Sequence, residues 1–371
     1  MNKITRSQPD ANVPENLLVT PLFALFLINA MQVGVGILGF ESYIAKDAGY
    51  DSWLSILIAG AGIHLLLWMI YQILHDTNGD IVSVHREVFG KYLGGFLSFI
   101  FSIYLFLLSL VVFRTFIEVI QVWIFPRLQL WFFTAVTLLL IFYLVHGGFR
   151  LITGLCVISV LLTLPLLLLK FFPIQAGVVT NLYPHIDHSI LELLKAAKTS
   201  VLGFLGIELL FVFYPFIKNP NNSKKWAHYG VFLTICIYMV SALASFIYFS
   251  EKQLEQVTWA TISLWKIVEF PFIERFEYIG VAIWLYVVIP NICLALWAAS
   301  RIPKRIFKVK QIYAVACYCV LLYIGSILLN ERRELEFLNT FANWIGFYIL
   351  MYIPVLFLLK KLRGIRRKAD E

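Results

Sequence analysis

Charged residues are scarce in this sequence of 371 residues, since they make up 14% of it, whereas about a quarter of a typical soluble domain is charged. Apolar residues make up 60%. At least eight apolar runs approach or exceed the roughly 18 residues that mark a candidate transmembrane helix. A soluble core does not need so many long apolar runs, so the composition excludes a soluble protein and predicts an integral membrane protein.

The sequence also lacks the motifs of metal, nucleotide and hydrolase chemistry. It contains no HExxH, no phosphate loop, no GxSxG and no Cys/His cluster, and its five cysteines lie in apolar runs without the spacing of zinc ligands. No polar region is long enough for a catalytic domain. We therefore expect that the protein is not an enzyme, has no catalytic residue, and needs neither a cofactor nor a metal ion.

A signal peptide and a nucleic-acid-binding surface are missing as well. Residues 1–16 are polar, and the apolar run that follows them is too long for the core of a signal peptide. The net charge is +8, but the excess lies in short loops and in the tail. We therefore expect no nucleic acid among the partners.

Ten apolar segments are present that can each span a membrane. We predict an all-α integral membrane protein with a single ten-helix domain, 17–360, between a cytoplasmic segment, 1–16, and a basic cytoplasmic tail, 361–371. The predicted spans are about 17–40, 52–74, 93–124, 128–146, 150–172, 199–217, 227–249, 277–300, 311–330 and 338–360.

Lysine and arginine are concentrated in the connectors on one side of the predicted membrane. Two basic runs, RIPKRIFKVK after the eighth span and KKLRGIRRK at the end of the chain, lie on the same side as the N-terminus. By the positive-inside rule, this side is the cytoplasm, so both termini are predicted to be cytoplasmic. The basic tail also suits contact with anionic membrane lipid.

The two halves of the chain share a pattern of helix-breaking residues. Gly34 and Gly36 interrupt the first span, Gly203 and Gly206 interrupt the sixth, and the fifth and tenth spans each contain a proline. Because five spans are an odd number, the second half enters the membrane from the opposite face, which predicts a 5+5 inverted repeat. The two repeats cover about 17–172 and 199–360.

Paired glycine-broken spans indicate a transporter-type binding site. Unwound backbone exposes N–H and C=O groups that cost several kcal/mol each in lipid, so it persists only where it lines a polar cavity or is buried in protein. The alternative is that the glycines only permit close helix packing. Packing alone gives no reason for the symmetry between the repeats, so the paired clusters favour a transporter-type binding site.

Three charged residues lie deep within predicted spans. Arg114 and Glu118 are four residues apart in the third span, so they can pair on one face of the helix, and either a buried ion pair that locks this span against its neighbours or direct contact with a ligand remains open. Glu208 has no oppositely charged neighbour in its own span. Three roles for it remain open: a protonated acid that couples proton movement, a cap for freed backbone N–H groups, or a contact for the amine of a ligand.

Several motifs carry a resemblance that covers nearly the whole chain. They are WATISLWKIVEFPFIERFEYIGVAIW before and in the eighth span, F-L-G-x-E in the sixth, R-x-x-x-E in the third and G-x-G in the first. The chain resembles the permease-like B subunit of endospore germinant receptors, within the amino acid–polyamine–organocation superfamily. Glu41 and Ala260 replace prolines that are usual in that family.

The resemblance implies a LeuT-like fold with helices 1 and 6 broken around a midplane pocket. It implies a subunit in the spore inner membrane that assembles with A and C subunits, binds a small nutrient such as an amino acid or a sugar, and triggers germination. A proton- or sodium-coupled amino acid transporter with the same pocket is the alternative. Together with the glycine pattern, the resemblance predicts these ligand-binding residues: Gly34, Gly36, Tyr104, Leu108, Gly203, Phe204, Gly206 and Asn291.

Overall fold

The computed structural model describes residues 13–77, 79–183 and 187–369, and these residues form helices joined by short connectors. Most of the predicted N-terminal segment, 1–12, and the last two residues of the predicted tail lie outside the described residues. The helices are α1 (Phe23–Gln32), α2 (Phe40–Ala48), α3 (Trp53–Thr77), α4 (Ile81–Phe89), α5 (Lys91–Trp123), α6 (Leu130–His146), α7 (Phe149–Leu168), α8 (Phe171–Ala176), α9 (Ile190–Leu202), α10 (Leu210–Phe213), α11 (Lys224–Tyr248), α12 (Glu251–Gln256), α13 (Ala260–Trp265), α14 (Phe276–Phe307), α15 (Gln311–Leu328) and α16 (Arg332–Ala369).

Many of these helices are long and apolar enough to cross a membrane. Seven helical segments in the described part of the chain are long and apolar enough to cross a membrane, and there are eight if the bent pair Ile190–Leu202 and Ile207–Phe216 counts as one span. Two shorter apolar helices, Phe23–Gln32 and Leu130–His146, accompany them. An integral membrane protein is therefore the class that the structure supports.

Both predicted glycine clusters coincide with helix breaks. Helix α1 ends at Gln32, and α2 begins only at Phe40 after a short 3-10 turn. Helix α9 ends at Leu202, and the helical segment that follows it, Ile207–Phe216, is bent by 47° relative to α9. Gly206 lies in this second break with φ +120°, a backbone conformation that residues other than glycine rarely adopt.

Other boundaries differ from the predictions. The predicted sixth span begins at about 199, but α9 begins at Ile190, because Ser189 and Glu192 form a capping box that starts the helix earlier. The prolines of the fifth and tenth spans do not break their helices, since α7 and α16 continue through Pro165 and Pro354. The predicted tail also begins as helix, because α16 continues to Ala369.

Helix α14 lies at the centre of the molecule. It packs along α5 and α7, while α1 packs against α11 and α7. Most of α14 is buried, including both aromatic and amide side chains in its middle. This arrangement places α1, α5, α11 and α14 around the two helix breaks.

Candidate functional site

The two helix breaks meet in the buried interior. The Gln32 side chain, at the end of α1, donates through Nε2 to the carbonyl oxygen of Phe204 at 3.1 Å. The Tyr238 hydroxyl, from α11, lies 3.1 Å from the carbonyl oxygens of both Gln32 and Gly203. A Cβ on Gly206 would lie 2.6 Å from Met31 Cβ, so the second break passes closely over the first. One glutamine and one tyrosine therefore hold the breaks together.

Side chains of α14 satisfy the backbone that the first break exposes. Asn291 Nδ2 donates to the carbonyl oxygens of Ala30, at 2.6 Å, and Val33, at 3.4 Å. Trp284 Nε1 donates to the carbonyl oxygen of Gly34 at 3.3 Å. An unwound segment is tolerated within a membrane protein when its polar groups are paired in this way.

Glu208 has the same role at the second break. Its Oε2 accepts from the backbone N–H of Gly206 at 2.8 Å, and its Oε1 accepts from the Tyr104 hydroxyl at 2.6 Å. The residue is completely buried. Of the three roles left open by the sequence, the cap for freed backbone N–H groups corresponds to the hydrogen bond with Gly206. Tyr104, predicted to line the ligand pocket, contacts this carboxylate.

The other predicted ligand residues surround the same breaks. A Cβ on Gly34 would lie 2.9 Å from Asn291 Oδ1, and a Cβ on Gly203 would lie 2.9 Å from the ring of Tyr238. Phe204 stacks on that ring with a centroid separation of 5.5 Å. Gly36 differs from them, because it is exposed and a Cβ there would meet no atom within 4 Å. The first break therefore borders open space at Gly36.

Leu108 lies on α5, one turn beyond Tyr104, and is buried. Two surface clefts of about 590 and 840 Å³ lie elsewhere in the molecule. The first is lined by the α5–α6 connector and the start of α6, and the second by the segment before α1 and the start of α11 with the turn that precedes it; the predicted ligand residues are not among them. The predicted ligand residues meet instead at the junction of the two breaks, which we take as the candidate site.

Arg114 and Glu118 lie close enough for their charges to interact, but they form no direct salt bridge. Arg114 Nε donates to the carbonyl oxygen of Leu329 at 2.8 Å, and Nη2 donates to that of Asn330 at 3.3 Å. These carbonyls follow the end of α15, where backbone acceptors lack helical partners and attract a cation. Glu118 instead pairs with Arg332 of α16 at 2.6 Å. Tertiary partners thus replace the pairing that helical spacing allowed.

A buried polar cluster was not predicted. Glu41 Oε1, on α2, accepts from Thr261 Oγ1 at 2.6 Å and from Ser241 Oγ at 3.0 Å. Lys170, between α7 and α8, donates to Thr261 Oγ1 at 2.7 Å, and its ammonium lies 3.9 Å from Glu41. The cluster joins α2, α11, α13 and the end of α7. The sequence contains a signal for this cluster, because the acid Glu41 lies just after the first predicted span and the base Lys170 lies within the fifth.

A second charged cluster joins the turn between α2 and α3 to the connector before α9. Asp51 Oδ2 accepts from the backbone N–H groups of Asp187 and His188 at 2.9 and 3.2 Å and contacts His188 Nδ1 at 3.1 Å. Burial lowers the pKa of His188, but its hydrogen bond to Asp51 and the nearby charges of Asp187 and Asp51 outweigh burial and raise the pKa above 6.5. The three side chains have ligand atoms within 4.8 Å of one another, as a metal site would require, but here Asp51 Oδ2 accepts from two backbone N–H groups and contacts the ring of His188.

Comparisons with known proteins agree with the sequence motifs. A family model described as "Spore germination protein" matches residues 18–335. The chain is 41% identical to the spore germination protein GerQB of Bacillus cereus over 349 residues, which are 94% of this chain and 97% of that protein.

The fold also has relatives among solved structures. It is similar to MhsT in complex with L-phenylalanine, with a TM-score of 0.67 and 13% identity over 92% of this chain and 88% of that chain. It is similar to a Na⁺-coupled sialic acid symporter in a substrate-bound, outward-open state, with a TM-score of 0.62 and 15% identity over 88% of this chain and 76% of that chain. At these identities the similarity shows the transporter fold alone.

Proposed function

The chain belongs to the spore germination protein family, and from this premise we propose that it is the membrane subunit of a spore germinant receptor. In this proposal it binds a small nutrient, an amino acid or a sugar, where its two helix breaks meet, and binding triggers germination. It does so in the spore inner membrane together with A and C subunits, and without catalysis. The observation that carries the proposal is the junction of both breaks in the interior of a member of this family.

The chemistry of the junction favours a ligand with hydrogen-bond donors. The Gln32 side chain is 3% exposed, and its Oε1 has no hydrogen-bond partner among the described residues. A buried acceptor without a donor is unfavourable by about 1–3 kcal/mol. The amine of an amino acid or a hydroxyl of a sugar would supply this donor. The open space at Gly36, in the same break, supports a small ligand.

The structure suggests how binding would act on the rest of the protein. Tyr238 and Gln32 connect the breaks in the arrangement described, and a ligand that replaces one of these bonds favours another arrangement of the half-helices. Only a difference in affinity between the two arrangements shifts the equilibrium. A coupling of about 1–3 kcal/mol would change occupancy severalfold or more.

The proposal includes the membrane topology. If α1 and α2 are the two halves of the first crossing and Trp53–Thr77 is the second, then the six other long helices, the bent pair and the shorter helix Leu130–His146 would bring the number of crossings to ten. Ten crossings would place both termini on one side, which the basic connectors assign to the cytoplasm, and the two broken helices would occupy equivalent positions in a 5+5 inverted repeat. Cysteine accessibility in the tail and in the α3–α4 connector would test this topology, since both should be labelled only from the cytoplasmic side.

A germinant screen tests the function. Spores carrying this subunit as their only B-type subunit would be exposed to single amino acids and sugars. Germination would be measured as the loss of optical density of the spore suspension. We expect at least one nutrient to trigger germination. Gln32→Met should abolish that response while the subunit remains detectable in the spore membrane. A full response of Gln32→Met spores to every active nutrient would contradict the proposed site.

The transporter fold of the structural relatives supports a second candidate, a proton- or sodium-coupled amino acid transporter. Purified protein in liposomes distinguishes the two functions. Nutrient uptake that depends on an ion gradient would favour the transporter. Binding without uptake, with germination lost in Gln32→Met, would favour the receptor.

A further inference from the structure

Three backbone carbonyls converge on one side-chain nitrogen at the first helix break. Asn291 Nδ2 lies 2.6 Å from the carbonyl oxygen of Ala30, 3.4 Å from that of Val33 and 3.2 Å from that of Val287. The first two belong to the end of α1, and the third belongs to α14. The side chain of Asn291 is only 2% exposed.

Such a convergence of oxygen atoms is the environment that a hard cation prefers. In transporters with discontinuous helices, unwound carbonyls and the C-terminal ends of half-helices coordinate Na⁺, and hard cations take oxygen ligands. One protein of similar fold is a Na⁺-coupled symporter. The fold therefore raises the question whether this break holds sodium.

The residues present do not fit a sodium ion. The amide nitrogen already occupies the point at which the three carbonyl dipoles meet, and its two hydrogens carry the partial positive charge that the carbonyls require. The acid nearest in sequence to the second break, Glu208, is bound to Gly206 and Tyr104. A cation could enter only if the Asn291 side chain left.

Gly34 explains how the amide reaches this position. A Cβ on Gly34 would lie 2.9 Å from Asn291 Oδ1, closer than such contacts normally allow, so the missing side chain makes room for the amide. Gly34 and Asn291 therefore form a complementary pair across α1 and α14.

We infer that the amide of Asn291 takes the place of a coupling cation, so that the first helix break is held together without sodium. The inference bears on the proposed function, because it separates this site from sodium-coupled transport. Its test uses sodium alone and no nutrient, so its outcome is independent of whether the protein senses germinants.

The experiment compares full-length protein in lipid nanodiscs in NaCl and in choline chloride at equal ionic strength. Wild-type protein should have the same melting temperature in both salts and should bind no radiolabelled sodium. Asn291→Asp removes the amide donor and adds a carboxylate beside the three carbonyls, so it should melt lower in choline chloride and recover by about 2–4 °C or more in NaCl.

Asn29→Asp is the matched control, since it also replaces a completely buried amide with an acid. The amide of Asn29 differs from that of Asn291 because it donates to the Thr234 hydroxyl and not to a group of carbonyls. The loss of stability of Asn29→Asp should be equal in both salts. If Asn291→Asp does not fold, the wild-type sodium measurement still decides. Saturable sodium binding to the wild type, or a higher wild-type melting temperature in NaCl, would overturn the inference.

Discussion

The Tyr104 hydroxyl donates a 2.6 Å hydrogen bond to Glu208 Oε1 across 104 positions of sequence. This bond attaches the middle of α5 to the second helix break, where the other carboxylate oxygen accepts from Gly206 N–H. Glu208 therefore binds the second break through one carboxylate oxygen and α5 through the other.

Removal of the Tyr104 hydroxyl should destabilise the protein. Tyr104→Phe keeps the ring but leaves Glu208 Oε1 without its donor, which costs about 1–3 kcal/mol for a buried polar group. Thermal unfolding in nanodiscs measures the loss. Tyr92→Phe is the control, because Tyr92 is 88% exposed on the same helix and should change nothing. Equal stability of Tyr104→Phe and wild type would contradict the cap.

A double-mutant cycle should show that Glu118 is coupled more strongly to Arg332 than to Arg114. Arg114 and Glu118 bind different partners, but the charge of Glu118 still acts on Arg114, so we expect a smaller coupling for Arg114→Ala with Glu118→Ala. Glu118→Ala and Arg332→Ala remove one shared ion pair, so their effects should be clearly less than additive. A coupling of Arg114 to Glu118 as strong as that of Arg332 to Glu118 would contradict the prediction.

The stabilising effects of Glu41 and Lys170 should depend on each other. Lys170→Met leaves the buried acid without its cation, and loss of one partner of a buried pair costs about 3–5 kcal/mol. The double variant Glu41→Gln/Lys170→Met leaves no buried charge and should be more stable than Lys170→Met. Lys218→Met breaks an exposed pair with Glu15 and should barely change the melting temperature. A double variant as unstable as the single one would refute the dependence.

His188 should make stability depend on pH. Its pKa is raised in the folded state, so its stabilising contacts are complete below about pH 6.5 and are lost as pH rises through the raised value. The charged groups that face it or lie beside it are Asp51, Asp187, Glu192 and Glu251.

The melting temperature of wild-type protein should therefore fall from mildly acidic to alkaline pH more than that of His188→Gln. The exposed His146 provides the control, and His146→Gln should keep the wild-type profile. Identical profiles for wild type and His188→Gln would contradict the prediction.

Patterns that act locally were read correctly from the sequence. The apolar runs predicted the long helices, and the glycines of the first and sixth spans predicted where those helices break, because backbone freedom is a property of the residue itself. The prolines misled, since Pro165 and Pro354 are accommodated inside continuous helices. The pair Arg114 and Glu118 misled for a related reason: spacing shows which residues can meet on one face, not which partners other helices offer.

By itself, the sequence determined the membrane class, the family and the two helix breaks, since these depend on composition, motifs and local backbone preference. Only the tertiary structure decided what satisfies the exposed backbone. Asn291 donates to Ala30 over a separation of 261 positions, and Tyr238 reaches Gln32 over 206. A freed carbonyl must find a donor wherever the fold places one, and no local pattern specifies a partner so distant along the chain.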